Sequence, residues 1–272
     1  MSSAPAKPAK HDARLVGVIH LPPLAGSPLS AMTSDAIAAR AVNDAKILYE
    51  AGYDLAMIEN FGDTPFFRGK VPPITVSAMT ACAAAVRREV PNLRVGINVL
   101  RNDVEAALAI AVVVGGACVR VNVHTGARVT DQGLVEGEAA TTLRSRRALG
   151  AESIAIWADV DVKHAAPLAP RPIDDEAKDL YLRGMADVLL VTGKGTGASV
   201  DPADLARVRT ALPNAPILVA SGARETDLAR LAEHATGVIV GSALRADGKA
   251  GGPIDRVRTV AFAAAFRAAF AR

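Results

Sequence analysis

The stretch MIENFGDTPF, residues 57–66, is where the fold of this chain becomes legible. An apolar run, Leu55, Ala56, Met57 and Ile58, stops at a carboxylate and an amide, Glu59 and Asn60. Gly62, Asp63 and a Thr64-Pro65 pair follow. Proline donates no backbone hydrogen bond and is not tolerated inside a central strand. A strand therefore leaves the core at residue 59, and it ends on reactive side chains rather than on a plain turn.

The same pattern recurs along the chain. Eight strand-like runs are expected, at Leu15–His20, Asp54–Glu59, Leu93–Leu100, Ala117–Val123, Ser153–Val160, Ala186–Thr192, Pro216–Ser221 and Gly237–Ser242. Between them lie helical patterns such as Ser34–Ala51, Thr75–Val90, Asp103–Val114, Pro202–Leu212 and Thr226–Glu233. Ser34, Asp103 and Asp201 have the residue types that cap helix starts, the last followed by Pro202 at the first helical position. Gly52, Gly115–Gly116 and Gly184 mark passages from helix to strand. Strand–helix alternation calls for a parallel sheet with right-handed crossovers. Eight such units predict an α/β fold, a single (β/α)8 or TIM barrel of the phosphate-binding type, spanning residues 14–272 behind a loose tail of residues 1–13. The competing architecture is an open doubly wound sheet, but the early Gly-x-Gly-x-x-Gly fingerprint that a dinucleotide needs there is missing. Active sites of these barrels are built at the carboxyl ends of the strands, which gives Glu59 and Asn60 a reason to be where they are.

Composition agrees with this reading. A chain of 272 residues fits one barrel, and half of its residues are hydrophobic. The net charge of +3, with a pI near 9.0, is small and dispersed, which argues against nucleic acid as a partner. Cys82 and Cys118 have no metal or redox spacing and point to a reduced, cytoplasmic setting. The first residues lack the apolar core of a signal peptide, and no uncharged apolar stretch is long enough to span a bilayer.

Each strand end carries polar or small residues: His20, Glu59–Asn60, Asn98, Asn122, Asp159, Thr192, Ser221 and Gly241–Ser242. The fourth run, CVRVNVH, alternates Val119, Val121 and Val123 with Arg120, Asn122 and His124. The outer face of a barrel strand is covered by helices, where a charge would be stranded, so Arg120 and Asn122 are expected to face the barrel axis. On the fifth run the period of two puts Asp159, Asp161 and Lys163 on one side, with Asp159 beside Arg120. Two interpretations stand: a salt-bridged plug that fills the barrel, or a site. As a site, Glu59, Asn98, Arg120, Asn122, Asp159 and Lys163 form the catalytic set. Glu59 or Asp159 serves as general base, and Lys163 as a Schiff-base amine, an anion ligand or an exposed structural lysine. His20, Asn60 and His164 are candidate substrate contacts, the histidines equally suited to capping or core roles. No ligand spacing calls for a metal. A divalent ion held by Glu59, Asp159 and a histidine is compatible with the residue types, and no cofactor is predicted.

The last three strand ends read LLVTGKGTG (189–197), ILVASGA (217–223) and VIVGSA (238–243). Small residues let backbone N–H groups approach an anion, and the loops after strands seven and eight are the usual phosphate site of this fold. Thr192, Gly193, Lys194, Ser221, Gly222, Gly241 and Ser242 form the expected cradle; the competing view is that the glycines only permit tight turns. HTGARVTDQGLVEGEA (124–139) is the longest loop-like stretch, either a mobile flap presenting Asp131 and Gln132 or a static excursion. Phe262, Phe266 and Phe270 make one stripe on the last helix, suited to docking on the barrel, with a membrane surface as the competing partner.

The motifs GVIHLPPLAGSP, IENFGDTPF, GINVLRND, RVNVHTGARVTDQG, ADVDVKHAAPL, VTGKGTG and VGSALRADG resemble the BtpA/SgcQ family along nearly the whole chain from Leu15. The resemblance implies a TIM barrel similar to phosphate-binding barrels. One branch of that family is associated with photosystem I biogenesis at thylakoid membranes and another occurs among sugar-metabolism genes; no reaction or catalytic assignment comes with it. Two functions are carried forward. One is an enzyme for a phosphorylated small molecule, a phosphosugar or nucleotide, with lyase, isomerase or hydrolase chemistry, expected as a homo-oligomer. The other is a non-catalytic assembly factor for a membrane complex, with peripheral membrane association. The inward-facing polar rim favours the enzyme.

Overall fold

The computed structural model describes residues 12–193 and 199–271. Along the chain its strands are β1 (Leu15–His20), β2 (Leu55–Glu59), β3 (Arg94–Asn98), β4 (Cys118–Val121), β5 (Ala127–Thr130), β6 (Gly133–Glu136), β7 (Ala155–Asp161), β8 (Ala165–Pro167), β9 (Val188–Val191), β10 (Ile217–Val219) and β11 (Gly237–Val240). The helices are α1 (Ser34–Glu50), α2 (Pro73–Glu89), α3 (Val104–Val114), α4 (Ala139–Ala148), α5 (Ile173–Lys178), α6 (Pro202–Ala211), α7 (Leu228–Leu231) and α8 (Arg256–Ala269). Strands β1, β2, β3, β4, β7, β9, β10 and β11 are all parallel and close into a barrel, β11 pairing back onto β1. This is the (β/α)8 barrel that the alternation of elements calls for.

Two apolar layers hold it. Val16, Val18, Leu55, Met57, Cys118, Trp157, Leu190 and Ile239 fill the barrel interior. Ala13, inside the expected tail, is buried in that same cluster. A larger shell, with Ile19, Ile58, Ile97, Val119 and Ile156 among its strand residues, packs against the helices. Successive strand residues thus alternate between axis and shell. The seam is tight: Val238 N–H donates to the Arg14 carbonyl at 2.7 Å, and a Cβ on Gly237 would come within 2.1 Å of that oxygen. Only glycine fits there.

Strand ends are shorter than the hydrophobic runs suggest, because rim side chains capture the backbone that a longer ladder would use. Asn60 accepts from Leu100 N–H at 2.7 Å, and Ser221 Oγ accepts from Gly193 N–H at 2.9 Å. Thr33, not Ser34, caps α1, its hydroxyl accepting from Ala36 N–H at 3.2 Å. The segment after β4 is not an unstructured loop. Strands β5 and β6 form an antiparallel hairpin, and β8 adds to its edge.

Phe262, Phe266 and Phe270 are all buried, and the last two rings stack at 4.4 Å. The aromatic stripe therefore docks α8 onto the barrel rather than meeting a membrane. Because Phe262 is fully enclosed, Phe262→Ala should lower the unfolding free energy by about 3–5 kcal/mol in chemical denaturation. A loss well under about 1 kcal/mol would mean that α8 is not part of the cooperative core.

Candidate functional site

The alternation that fills the barrel with apolar side chains places a charged layer above them. Going up β2, β4 and β7, Met57, Cys118 and Trp157 give way to Glu59, Arg120 and Asp159. These three side chains are only 5%, 3% and 0% exposed. Arg120 Nη2 donates to Asp159 Oδ1 at 3.0 Å, Nε to Oδ2 at 3.3 Å, and Nη1 to Glu59 Oε1 at 3.3 Å. Asn122 Nδ2 donates to Asp159 Oδ2 at 2.6 Å, and Asn98 Nδ2 to Glu59 Oε1 at 2.9 Å. Burial works against a charged guanidinium, but Asp159 and Glu59 more than offset it and hold the Arg120 pKa above its ordinary value. Both Arg120 and Asn122 face the axis, as their spacing on β4 requires.

The two carboxylates differ in what they leave free. Asp159 is locked on both oxygens and lines neither of the two cavities at this end of the barrel. Glu59 is held through Oε1, and its Oε2 lies 3.9 Å from His20 Nε2. His20 Nδ1 accepts from Gly251 N–H at 3.1 Å, which leaves the ring proton on Nε2, facing Glu59. Burial, helped by Arg245, Lys163, Arg40 and Arg120, keeps the His20 pKa well below its ordinary value, so the ring is neutral. Glu59 thus stands in the cavity wall with a free oxygen, whereas Asp159 sets the orientation of Arg120.

Two adjoining cavities, of about 600 Å³ and 440 Å³, share Glu59, Arg120 and Lys163 in their walls. The first is the cradle side, lined by Ser221, Gly222, Gly241, Ser242 and His20, with Arg224 and Arg258 adding positive charge. A Cβ on Gly241 would come within 3.2 Å of His20 Cε1, so this wall is built close. Buried Arg245 sets the loop, donating to the carbonyls of Val18 at 2.8 Å, Gly241 at 2.5 Å and Gly252 at 3.2 Å. The second cavity lies under the hairpin, lined by Phe61, Phe66, Asn98, Arg101, Asn122, Asp131, Gln132 and His164. Asn122 Oδ1, Gln132 Oε1 and Arg101 Nε are buried here without a partner. A polar ligand can meet them.

Several expected residues stand elsewhere. The β7 ladder is bulged: Asp159 faces Leu190 and Asp161 faces Val191, so one residue is inserted between them. Asp161 therefore turns outward, 54% exposed, and pairs with Arg128 instead of sharing the side of Asp159 and Lys163. Asn60 is engaged with both backbone groups of Leu100 and with Asp63, and lines neither cavity. Thr192 donates to the Asp161 carbonyl at 2.6 Å, and the Gly193 amide is taken by Ser221. Neither lines the cradle, and Lys194 lies outside the described residues. The hairpin is pinned by Arg128, which donates to Glu176 at 3.1 Å and to the Val160 carbonyl at 3.3 Å. Arg101, Arg224 and Arg245 escape a sequence reading because isolated arginines in loops carry no period, and Arg128 on β5 and Arg258 in the first turn of α8 sit on elements whose pattern does not point to the cavities. The one available signal is the charge of Arg101 directly after an apolar run. Among the described residues, no three His, Cys, Asp or Glu side chains are grouped so as to hold a metal ion.

Replacing Arg120 strands two buried carboxylates. Arg120→Met should cost about 3–5 kcal/mol at neutral pH. The loss should shrink as pH falls, because acids left without a partner can be buried protonated. Denaturation midpoints from pH 4 to 8 would show this; a pH-independent loss below about 1 kcal/mol would contradict the buried network.

The closed barrel with its charged upper layer belongs to the (β/α)8 class of proteins with a cavity at the strand ends. Among solved structures, phosphoribosyl anthranilate isomerase from Thermus thermophilus superposes with a TM-score of 0.54 at 14% identity, covering 93% of this chain and 98% of that one. Orotidine 5′-phosphate decarboxylase from Pyrococcus horikoshii gives a TM-score of 0.56 at 15% identity, covering 93% and 99%. Likeness at this level is likeness of fold. Sequence goes further: the BtpA family model matches residues 11–268, and the chain belongs to the BtpA family. The Photosystem I biogenesis protein BtpA of Synechocystis is 42% identical over 248 residues, 91% of this chain and 86% of that one. Among the described residues, no helix is long and apolar enough to cross a membrane.

Proposed function

We propose that this protein is an enzyme acting on a phosphorylated small molecule, a phosphosugar or nucleotide, by lyase, isomerase or hydrolase chemistry. The observation that carries this reading is the pair of cavities sharing Glu59, Arg120 and Lys163. One cavity offers small residues and two arginines, the other a set of unsatisfied polar atoms, and reactive groups stand between them. In this reading Ser221, Gly222, Gly241 and Ser242 hold the phosphate, with Arg224 and Arg258 supplying charge. The rest of the substrate lies under the hairpin against Asn122, Asp131, Gln132 and His164. Glu59 is the general acid or base, because its free oxygen reaches the cavity. Asn98 and Arg120 hold that carboxylate in place, and Asp159 with Asn122 holds Arg120. Names of the structural neighbours, an isomerase of a phosphoribosyl compound and a decarboxylase of a 5′-phosphate, suit this assignment without specifying it.

A second reading, a non-catalytic factor for assembly of a membrane complex, is favoured by one observation, the name of the Synechocystis relative. A scaffold has no use for a buried carboxylate presented to a cavity of this size.

Isothermal titration with phosphorylated sugars and their unphosphorylated counterparts tests the proposal. The phosphorylated member of a pair should bind at least about tenfold more tightly, a difference of about 1.4 kcal/mol. Equal affinities would remove the cradle from the account. A phosphorylated ligand that binds and raises the melting temperature but is never converted would favour the assembly reading.

A further inference from the structure

Lys163 follows the β7 bulge and lines both cavities, at the point where they meet. Among the described residues it is the one lysine in either lining. Among the described residues no carboxylate lies within ion-pair distance of its ammonium, and its Nζ makes no hydrogen bond. Only its carbonyl is engaged, accepting from Arg101 Nη2 at 2.6 Å. The surrounding charge does not call for another cation. Glu59 and Asp159 contribute two negative charges, and Arg120 and Arg101 two positive ones. A protonated Lys163 would unbalance that set, while a neutral amine leaves it even. The remaining titratable groups around the two cavities are His20, itself neutral, and His164, with Asp131 and Glu225 matched in number by Arg224 and Arg258.

We propose that Lys163 is the nucleophile of this site, forming a Schiff base with the carbonyl carbon of a phosphorylated aldehyde or ketone. This deepens the phosphometabolite reading and rests on it for the phosphate. Burial in the cavity wall, reinforced by Arg120, brings the amine pKa below the ordinary lysine range, so more of it is unprotonated near neutrality. In the step, the Nζ lone pair attacks the carbonyl carbon and a C–N bond forms. The carbonyl oxygen then departs as water, taking one hydrogen from the amine nitrogen and one proton from solvent, both passed through Glu59, and a protonated C=N that keeps the second amine hydrogen replaces C=O. No oxidant or reductant is needed. The protonated C=N group then draws electrons from the neighbouring carbon, which is the activation that carbon–carbon cleavage, condensation or isomerisation next to a carbonyl requires.

Reductive trapping tests this on the full chain. The protein is incubated at pH 7 with glyceraldehyde 3-phosphate or with glyceraldehyde, each with cyanoborohydride, and mapped by peptide mass spectrometry. With its amine pKa lowered by burial and a phosphate-holding wall beside it to position the aldehyde, Lys163 should label at least about tenfold faster than any other lysine. The phosphorylated aldehyde should label it faster than the plain one, and inorganic phosphate should slow that reaction. Lys163→Met keeps a long unbranched side chain without charge or amine, so the fold survives a change that removes the adduct. If both aldehydes label Lys163 selectively and equally, the Schiff-base proposal stands and the phosphate cradle fails. If both spare Lys163, or label surface lysines such as Lys46, Lys70 and Lys178 as fast, the proposal is overturned.

Discussion

Everything at the top of this barrel depends on one buried guanidinium. Arg120 reaches from β4 to Asp159 on β7 and, on the other side, to Glu59 on β2. A lone charge at that depth would be prohibitive, and two carboxylates meeting it make the burial tolerable. The geometry is asymmetric. Asp159 receives two nitrogens of the guanidinium fork and an amide, whereas Glu59 receives single donors on one oxygen. The same network therefore contains a fully satisfied acid and a partly free one, and only the second is open to a ligand.

Around this centre, arginines act as struts. Arg245 gathers three carbonyls to fix the loop that carries Gly241 and Ser242. Arg128 ties the hairpin to β7 and α5. Arg101 braces the backbone of Lys163. A planar group with several fixed donors satisfies carbonyls that irregular loops leave unpaired, which lysine does less well. The loops over the strand ends are thus held at defined positions relative to the ion network, and two cavities form where they meet it.

How much of this could be read from the chain follows from the physics of each feature. Strand periodicity is strict, so the turn inward of Arg120 and Asn122 was legible, as was the run of polar strand ends from His20 to Ser242. The parity argument fails at one place, Asp161, because a bulge inserts a residue without leaving a mark in hydrophobicity. The hairpin of β5 and β6 has four-residue strands, too short and too exposed to alternate clearly. Small residues at three strand ends looked alike, yet Thr192 and Gly193 spend their donors on Asp161 and Ser221. Only a folded backbone separates those from Ser221, Gly222, Gly241 and Ser242, which line the cavity.

The most direct measurement of the central network is a double-mutant cycle between Glu59 and Asp159, which do not bond each other and are linked through Arg120. Glu59→Gln and Asp159→Asn each leave the guanidinium one carboxylate, and the double variant leaves it none. Unfolding free energies of the four proteins should be non-additive, the double variant losing about 0.5–3 kcal/mol more than the sum of the single losses. Additivity within about 0.5 kcal/mol would mean that the two acids do not share Arg120, contradicting the network on which the site is built.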